Sequence, residues 1–185
     1  RKIQETHLIR MADMVTGPPG SVNLPGGLTL RSRGHMLVLE VSSDDRCPYS
    51  FLNGEHKLNI PGTTNIPGWT ITAEEPDSYI GYKKSDKLVA YLDQDCIGLK
   101  PRVRTRRNGD RFYPLGMAHE KKIQDFYVDQ KIPRSWRDRI PLVVSDKGIL
   151  WVVGERLSNL AKLTEFTRRV VMIEWQQTPP NRSSR

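Results

Sequence analysis

LVVSDKGILWVV, residues 142–153, sets two short apolar runs around a polar four-residue centre. Leu142–Val144 and Ile149–Val153 are rich in β-branched side chains, and Ser145-Asp146-Lys147-Gly148 supplies turn chemistry between them. The pattern predicts a β-hairpin, and therefore an antiparallel pair of strands. Upstream, Val103 and Thr105 alternate with Arg102, Arg104 and Arg106. On a strand, that period of two places the three arginines on one face. Asn108-Gly109 predicts a turn just after them. Between these strands, His119–Gln130 carries Ile123, Phe126 and Tyr127 at i, i+3 and i+4, which predicts a short amphipathic helix. Lys121 and Lys122 would then lie in its first turn, against the helix dipole. Ile132-Pro133 stops that helix, and Pro133 can open a second helical turn through Arg137. Downstream, Val170–Trp175 predicts a final strand.

The first half is patterned more loosely. Residues 1–16 have roughly helical apolar spacing and end at Gly17-Pro18-Pro19-Gly20, as if the helix belonged to a helical neighbour. Leu28–Leu30 and Met36–Val41 predict a hairpin turning at Arg33-Gly34, followed by a polar loop at Ser42–Pro48. Lys57–Ile60, Trp69–Ala73 and Leu88–Leu92 predict further strands between Pro/Gly turns. The fold class expected is α+β, with short, mostly antiparallel strands in a sheet or sandwich and two short helices. The expected divisions are residues 1–22 as the end of a helical domain, 23–98 as a β-rich linking segment, 99–175 as a C-terminal domain, and 176–185 as a disordered polar tail.

The composition narrows the function classes. The chain has 185 residues and 37% hydrophobic side chains. No window approaches the roughly 20 apolar residues of a membrane-spanning helix, so no membrane partner is expected. The opening RKIQETHL has no apolar signal core and no initiator Met, from which we expect a piece of a longer protein. Cys47 and Cys96 form no C-x-x-C and read as reduced thiols of a cytoplasmic protein.

Charge is the strongest signal. The net formal charge is +8. Residues 1–97 hold 10 Lys+Arg against 12 Asp+Glu, residues 98–139 hold 12 against 5, and residues 140–185 hold 7 against 4. The excess is therefore concentrated in one 42-residue block, the footprint of a polyanion partner. Arg102, Arg104, Arg106, Arg107, Lys121, Lys122, Arg134, Arg137 and Arg139 are the candidate phosphate contacts, since guanidinium forks suit phosphate oxygens. Phe112, Phe126 and Trp136 lie among them. Basic residues interleaved with aromatics suit RNA, although the same rings serve equally well as core. Gly109, Pro114, Gly116 and Pro141 would shape the loops. Arg111 could pair internally with Asp110.

Catalytic signatures are lacking. The sequence has no P-loop, G-x-G-x-x-G, H-E-x-x-H or G-x-S-x-G, and its four histidines do not cluster with cysteines at metal spacing. An acid–base pair of Asp110 and His119 is the one conceivable alternative. No catalytic residue, cofactor or metal is expected in this chain.

The strings RTRRNGDRFYPLGM (104–117), KKIQDFYVDQKIPRSWRDRIPLVV (121–144), GILWVVGER (148–156) and KLTEFTRRVV (162–171) resemble the C-terminal domain of bacterial tRNA(Ile)-lysidine synthetases, in order and spacing. TGPPGSVNLPGGLTLRSRGHMLVLE (16–40) and IPGWTITAE (66–74) resemble the segment that precedes it in that family. The resemblance implies a fold similar to a module of the β subunit of phenylalanyl-tRNA synthetase. It implies a parent enzyme that uses ATP and Mg to adenylate the wobble cytidine of a CAU-anticodon isoleucine tRNA, which lysine then attacks to give lysidine. That ligase chemistry belongs to an N-terminal PP-loop domain with an S-G-G-x-D-S signature, which this sequence lacks. The implied role of this chain is to grip the tRNA near its acceptor stem. Its implied partners are that tRNA and the catalytic domain; a homodimer is a further option on which the sequence does not decide. A free-standing RNA-binding adaptor is the competing reading.

Overall fold

A computed structural model of the chain describes residues 4–18, 20–24, 28–33, 36–41, 47–76 and 86–178. The chain divides into two compact units, residues 1–48 and 49–185.

In the first unit, helix α1 (Glu5–Thr16) opens with a reciprocal capping box between Gln4 and His7 and ends at Gly17, whose N–H donates to the Asp13 carbonyl. Strands β1 (Ser21–Leu24), β2 (Leu28–Arg33) and β3 (Met36–Val41) follow as an antiparallel sheet in the order β1-β2-β3. The helix packs on β1 and β2, and Met14, Val22 and Thr29 are buried. The expected hairpin is β2–β3, while its turn at Gly34 lies outside the described residues. β1 was not anticipated, because SVNL is short and bracketed by proline and glycine. An expected boundary at residue 22 would cut through it.

The second unit holds two larger sheets. Strand β4 (His56–Lys57) is followed by the hairpin β5 (Gly62–Ile66) and β6 (Trp69–Glu74), then by β7 (Val89–Asp93) and the one-turn helix α2 (Gln94–Ile97). Next come β8 (Arg102–Arg104), β9 (Arg111–Phe112), β10 (Lys121–Lys122) and helix α3 (Ile123–Asp129). A 3-10 turn at Arg134–Trp136 leads into β11 (Leu142–Ser145) and β12 (Gly148–Val152). Strand β13 (Arg156–Leu157), a 3-10 turn at Asn159–Ala161 and β14 (Val170–Gln177) are the last elements among the described residues. One sheet runs β13-β12-β11-β8-β4, another β5-β6-β14-β7, and β9 pairs with β10, with every named pairing antiparallel.

The long sheets face each other across an aromatic centre. Trp175 of β14 meets Trp69 of β6 edge-on at 5.6 Å between ring centroids, and Trp151 of β12 at 6.5 Å. Such edge-to-face contacts add to the burial term. Ile71, Leu92 and Ile173 of one sheet and Val103, Leu142 and Leu150 of the other are fully buried. Each contributes about 1.5–3 kcal/mol of apolar transfer. The α+β class holds, with mostly antiparallel strands, but with three short helices among the described residues rather than two.

The division expected at residue 98 is not a structural one. β14 sits between β6 and β7, and β4 completes the edge beside β8, so residues on both sides of 98 share both sheets. The strand expected over 57–60 shortens to β4, since Pro61 offers no donor to extend a ladder. β5 was missed because GTTN reads as turn. Its pairing with β6 is set by Pro67-Gly68, with Gly68 at φ +79°, the Pro–Gly pair favoured in type II turns. Gln176 and Gln177, expected in the tail, continue β14.

Candidate nucleic-acid interface

The basic block begins on β8. Val103 is fully buried and pairs with Val143 of β11 on one side and His56 of β4 on the other. Arg102 and Arg104 therefore share the opposite face. The strand ends at Arg104, so Arg106 leaves the register and the anticipated row of three arginines does not form.

Arg104 is not a free fork. Its Nη1 and Nη2 donate to Asp110 Oδ2 and Oδ1 at 2.6 and 3.0 Å, and its side chain is only 11% exposed. Asp110 Oδ2 also accepts the backbone N–H of Arg107 at 2.7 Å. Burial alone would raise the Asp110 pKa, but the Arg104 fork and the Arg107 N–H outweigh it and hold the carboxyl below its ordinary range. The loop closes through Asn108-Gly109, where Gly109 has φ +87°, a conformation that glycine adopts without strain. This pair therefore shapes the loop that presents Arg107.

A second carboxylate comes from far along the chain. Glu55 precedes β4, and the β4–β8 pairing brings it onto the arginines. Glu55 Oε2 accepts from Arg102 Nη1 at 2.7 Å, and Oε1 lies 3.0 Å from Arg107 Nη2 and 3.7 Å from Arg104 Nε. The Arg102 hydrogen bond is the main cause holding the Glu55 carboxyl below its usual range. Arg102 and Arg107 remain 47% and 62% exposed. Together with Lys100 and Arg111 they line an open groove of about 470 Å³. A smaller depression of about 130 Å³ adjoins it, sharing Arg107 and Asp110 and adding Arg106 and Lys122.

The remaining predicted residues separate into tied and free. Lys121 and Lys122 are not in a helix turn: they form β10, opposite Phe112 and Arg111 of β9. Their backbone extends because α3 starts only at Ile123, with Lys122 as its cap residue. Lys121 pairs with Asp129. Arg106 pairs with Asp138 at 2.8 Å, and Arg137 Nε donates to the Ile132 carbonyl at 3.0 Å. The Arg139 guanidinium lies 4.5 Å from the centre of the exposed Phe51 ring, within cation–π range. Lys122 and Arg134 are exposed, and neither has an ion-pair partner among the described residues. Arg111 pairs with Glu120 at 3.2 Å rather than with Asp110. Phe112 and Phe126 are core, packed edge-to-face at 5.1 Å, while Trp136 is half-buried. His119 is exposed, and the Asp110 oxygens are engaged by Arg104, which leaves no acid–base couple between them.

The sequence reading missed Glu55, whose signal lies only in the strand pairing. It also missed Lys131. This exposed residue at φ +54° follows α3. Its own N–H donates to the Val128 carbonyl, and the Ile132 N–H to that of Tyr127. Those two bonds form a Schellman cap, in which glycine usually holds the left-handed position.

Residues 102–175 match the TilS substrate C-terminal domain. The chain is 39% identical over 178 residues to the tRNA(Ile)-lysidine synthase of Dehalococcoides mccartyi, covering 95% of this chain and 38% of that protein. It is 39% identical over 124 residues to the tRNA(Ile)-lysidine synthase of Caldanaerobacter subterraneus subsp. tengcongensis, covering 64% of this chain and 26% of that protein. A crystal structure of a TilS C-terminal domain superposes with a TM-score of 0.57 at 31% identity, covering 68% of this chain and 98% of the other.

Proposed function

Because the chain belongs to the tRNA(Ile)-lysidine synthase family and carries its C-terminal domain, we propose that it is the tRNA-gripping part of a lysidine-forming enzyme. The RNA it holds is the CAU-anticodon isoleucine tRNA, taken at the acceptor stem. A PP-loop domain of the same protein, using ATP, Mg and lysine, converts the wobble cytidine. An acceptor stem is A-form duplex, which proteins bind mainly through phosphates, 2′-hydroxyls and shape.

The observation that carries this reading is the pair of adjoining depressions rimmed by Arg102, Arg107, Arg106 and Lys122. Arg102, Arg107, Lys122 and Arg134 make the phosphate contacts. Arg106 and Lys121 join once released from Asp138 and Asp129. Arg104, Arg137 and Arg139 hold the surface that presents the others.

The test is binding of the 185-residue chain to isoleucine tRNA and to its acceptor-stem minihelix across a salt series. Equal affinity for both RNAs, with a log K against log salt slope of several units, supports the stem grip, since each neutralised phosphate contributes about 0.7–0.9. Failure of both RNAs to bind at moderate salt refutes it.

A further inference from the structure

Glu55 stands in an unusual place for a protein that binds polyanions: in the middle of the arginines. Its two oxygens serve different guanidiniums, Oε2 to Arg102 at 2.7 Å and Oε1 to Arg107 at 3.0 Å. A phosphodiester presents the same face, two non-bridging oxygens sharing one negative charge. Behind this seat, Arg104 is fixed by Asp110, with its Nε 3.7 Å from Glu55 Oε1. The floor of the seat does not depend on its occupant, because the Arg104–Asp110 fork and the Arg107 backbone N–H bond to Asp110 do not involve Glu55.

We propose that the Glu55 carboxylate is a built-in stand-in for an RNA backbone phosphate, occupying the seat between Arg102 and Arg107 in the free protein and giving way when a duplex phosphate arrives. This rests on the nucleic-acid reading above and adds a selection rule to it. Counting Arg102, Arg104 and Arg107 against Glu55 and Asp110, the occupied seat carries one net positive charge, and two once Glu55 swings out. An isolated phosphate or carboxylate must displace Glu55 with no other contact. A stem that also engages Lys122 and Arg134 displaces it with help from neighbouring phosphates. Glu55 thus discriminates against small anions and short single contacts. Gly54, at φ +75° and with open space where a side chain would be, precedes it and leaves the backbone there uncrowded.

The experiment compares wild type, Glu55→Gln, Arg102→Gln/Arg107→Gln and the triple variant for binding to the acceptor-stem minihelix, and to inorganic phosphate as the small-anion probe. Glu55→Gln should bind the minihelix roughly threefold to tenfold tighter, the scale of one or two partly exposed ion pairs released. It should also gain measurable affinity for phosphate that wild type lacks. In the Arg102→Gln/Arg107→Gln background, Glu55→Gln should bring no gain, as a shared seat requires in a double-mutant cycle.

If wild type binds the minihelix and Glu55→Gln binds equally or more weakly, the stand-in is refuted while the RNA reading survives. If neither form binds, both fall. Should Glu55→Gln melt too low for comparison, arginine side-chain NMR of the wild type replaces it. The Arg102 and Arg107 N–H resonances should shift together as minihelix is added, and their staying in place overturns the proposal.

Discussion

Two stretches of the basic block differ in a way that their composition hides. Residues 102–111 hold five arginines and one acid, and residues 121–139 hold six basic residues and three acids. By density the first is the better polyanion site. In the structure it is the more neutralised: Arg102 and Arg107 meet Glu55, Arg104 meets Asp110, Arg106 meets Asp138 and Arg111 meets Glu120. The second stretch leaves Lys122, Lys131 and Arg134 exposed with no ion-pair partner among the described residues. Free charge is decided by which carboxylates the fold delivers, and three of the four delivered to the first stretch come from outside it.

The sharpest way to break this contrast is at Asp110. Asp110→Asn should lower stability by about 2–4 kcal/mol, because it takes the two-pronged carboxylate partner from the mostly buried Arg104 and leaves it only the longer 3.7 Å contact to Glu55. Thermal melting of the 185-residue chain reads this directly. A drop under about 0.5 kcal/mol would mean that Arg104 is as free as its neighbours and that the two stretches do not differ in kind.

The same pair has a pH signature. The folded Asp110 carboxyl titrates below its ordinary value, so its contribution is fully present above the unfolded pKa of about 3.9 and is lost as pH falls below it. The stability gap between wild type and Asp110→Asn should therefore narrow on acidification below about pH 4 and stay constant from about pH 5 to 8. A gap that instead narrows toward high pH would assign the effect to another group.

For the second stretch the readout is RNA. Lys122→Glu with Arg134→Glu should weaken minihelix binding by at least about tenfold at low salt and lower the salt slope by about two, one for each phosphate left without its cation. Arg104→Gln, corrected for any unfolded fraction, should leave the slope unchanged. Reversal of that order would show that Arg104, not Lys122 and Arg134, meets the phosphates.

The parts of this protein that were legible in the sequence are those that local pattern controls. The 142–153 hairpin follows from two apolar runs around turn residues and the α3 face of Ile123, Phe126 and Tyr127 from its helical spacing, and the apolar residues of both are buried. The basic block was visible as charge. Its wiring was not, because Glu55 reaches Arg102 across 47 residues through the short β4–β8 pairing. The same non-locality hid the domain organisation: β14 inserts between strands laid down some eighty to a hundred residues earlier. Lys121 and Lys122 misled for a smaller reason, since a helix pattern fixes its apolar face better than its first residue.

Lys131 gives the finest test, because there stability and charge pull in opposite directions. A non-glycine residue at φ +54° costs about 1–2 kcal/mol in the left-handed region. Glycine would remove that strain at an entropic cost of about 0.5–1 kcal/mol in the unfolded chain. Lys131→Gly should therefore raise stability by about 0.5–1 kcal/mol, seen as a higher melting temperature. The Schellman bonds to Val128 and Tyr127 are made by backbone and should persist. If the lysine also belongs to the free charge of the second stretch, the stabilised variant should show a salt slope on the minihelix lower by about one unit. A higher melting temperature with an unchanged slope would remove Lys131 from the interface and leave Lys122 and Arg134 as the free cations that matter.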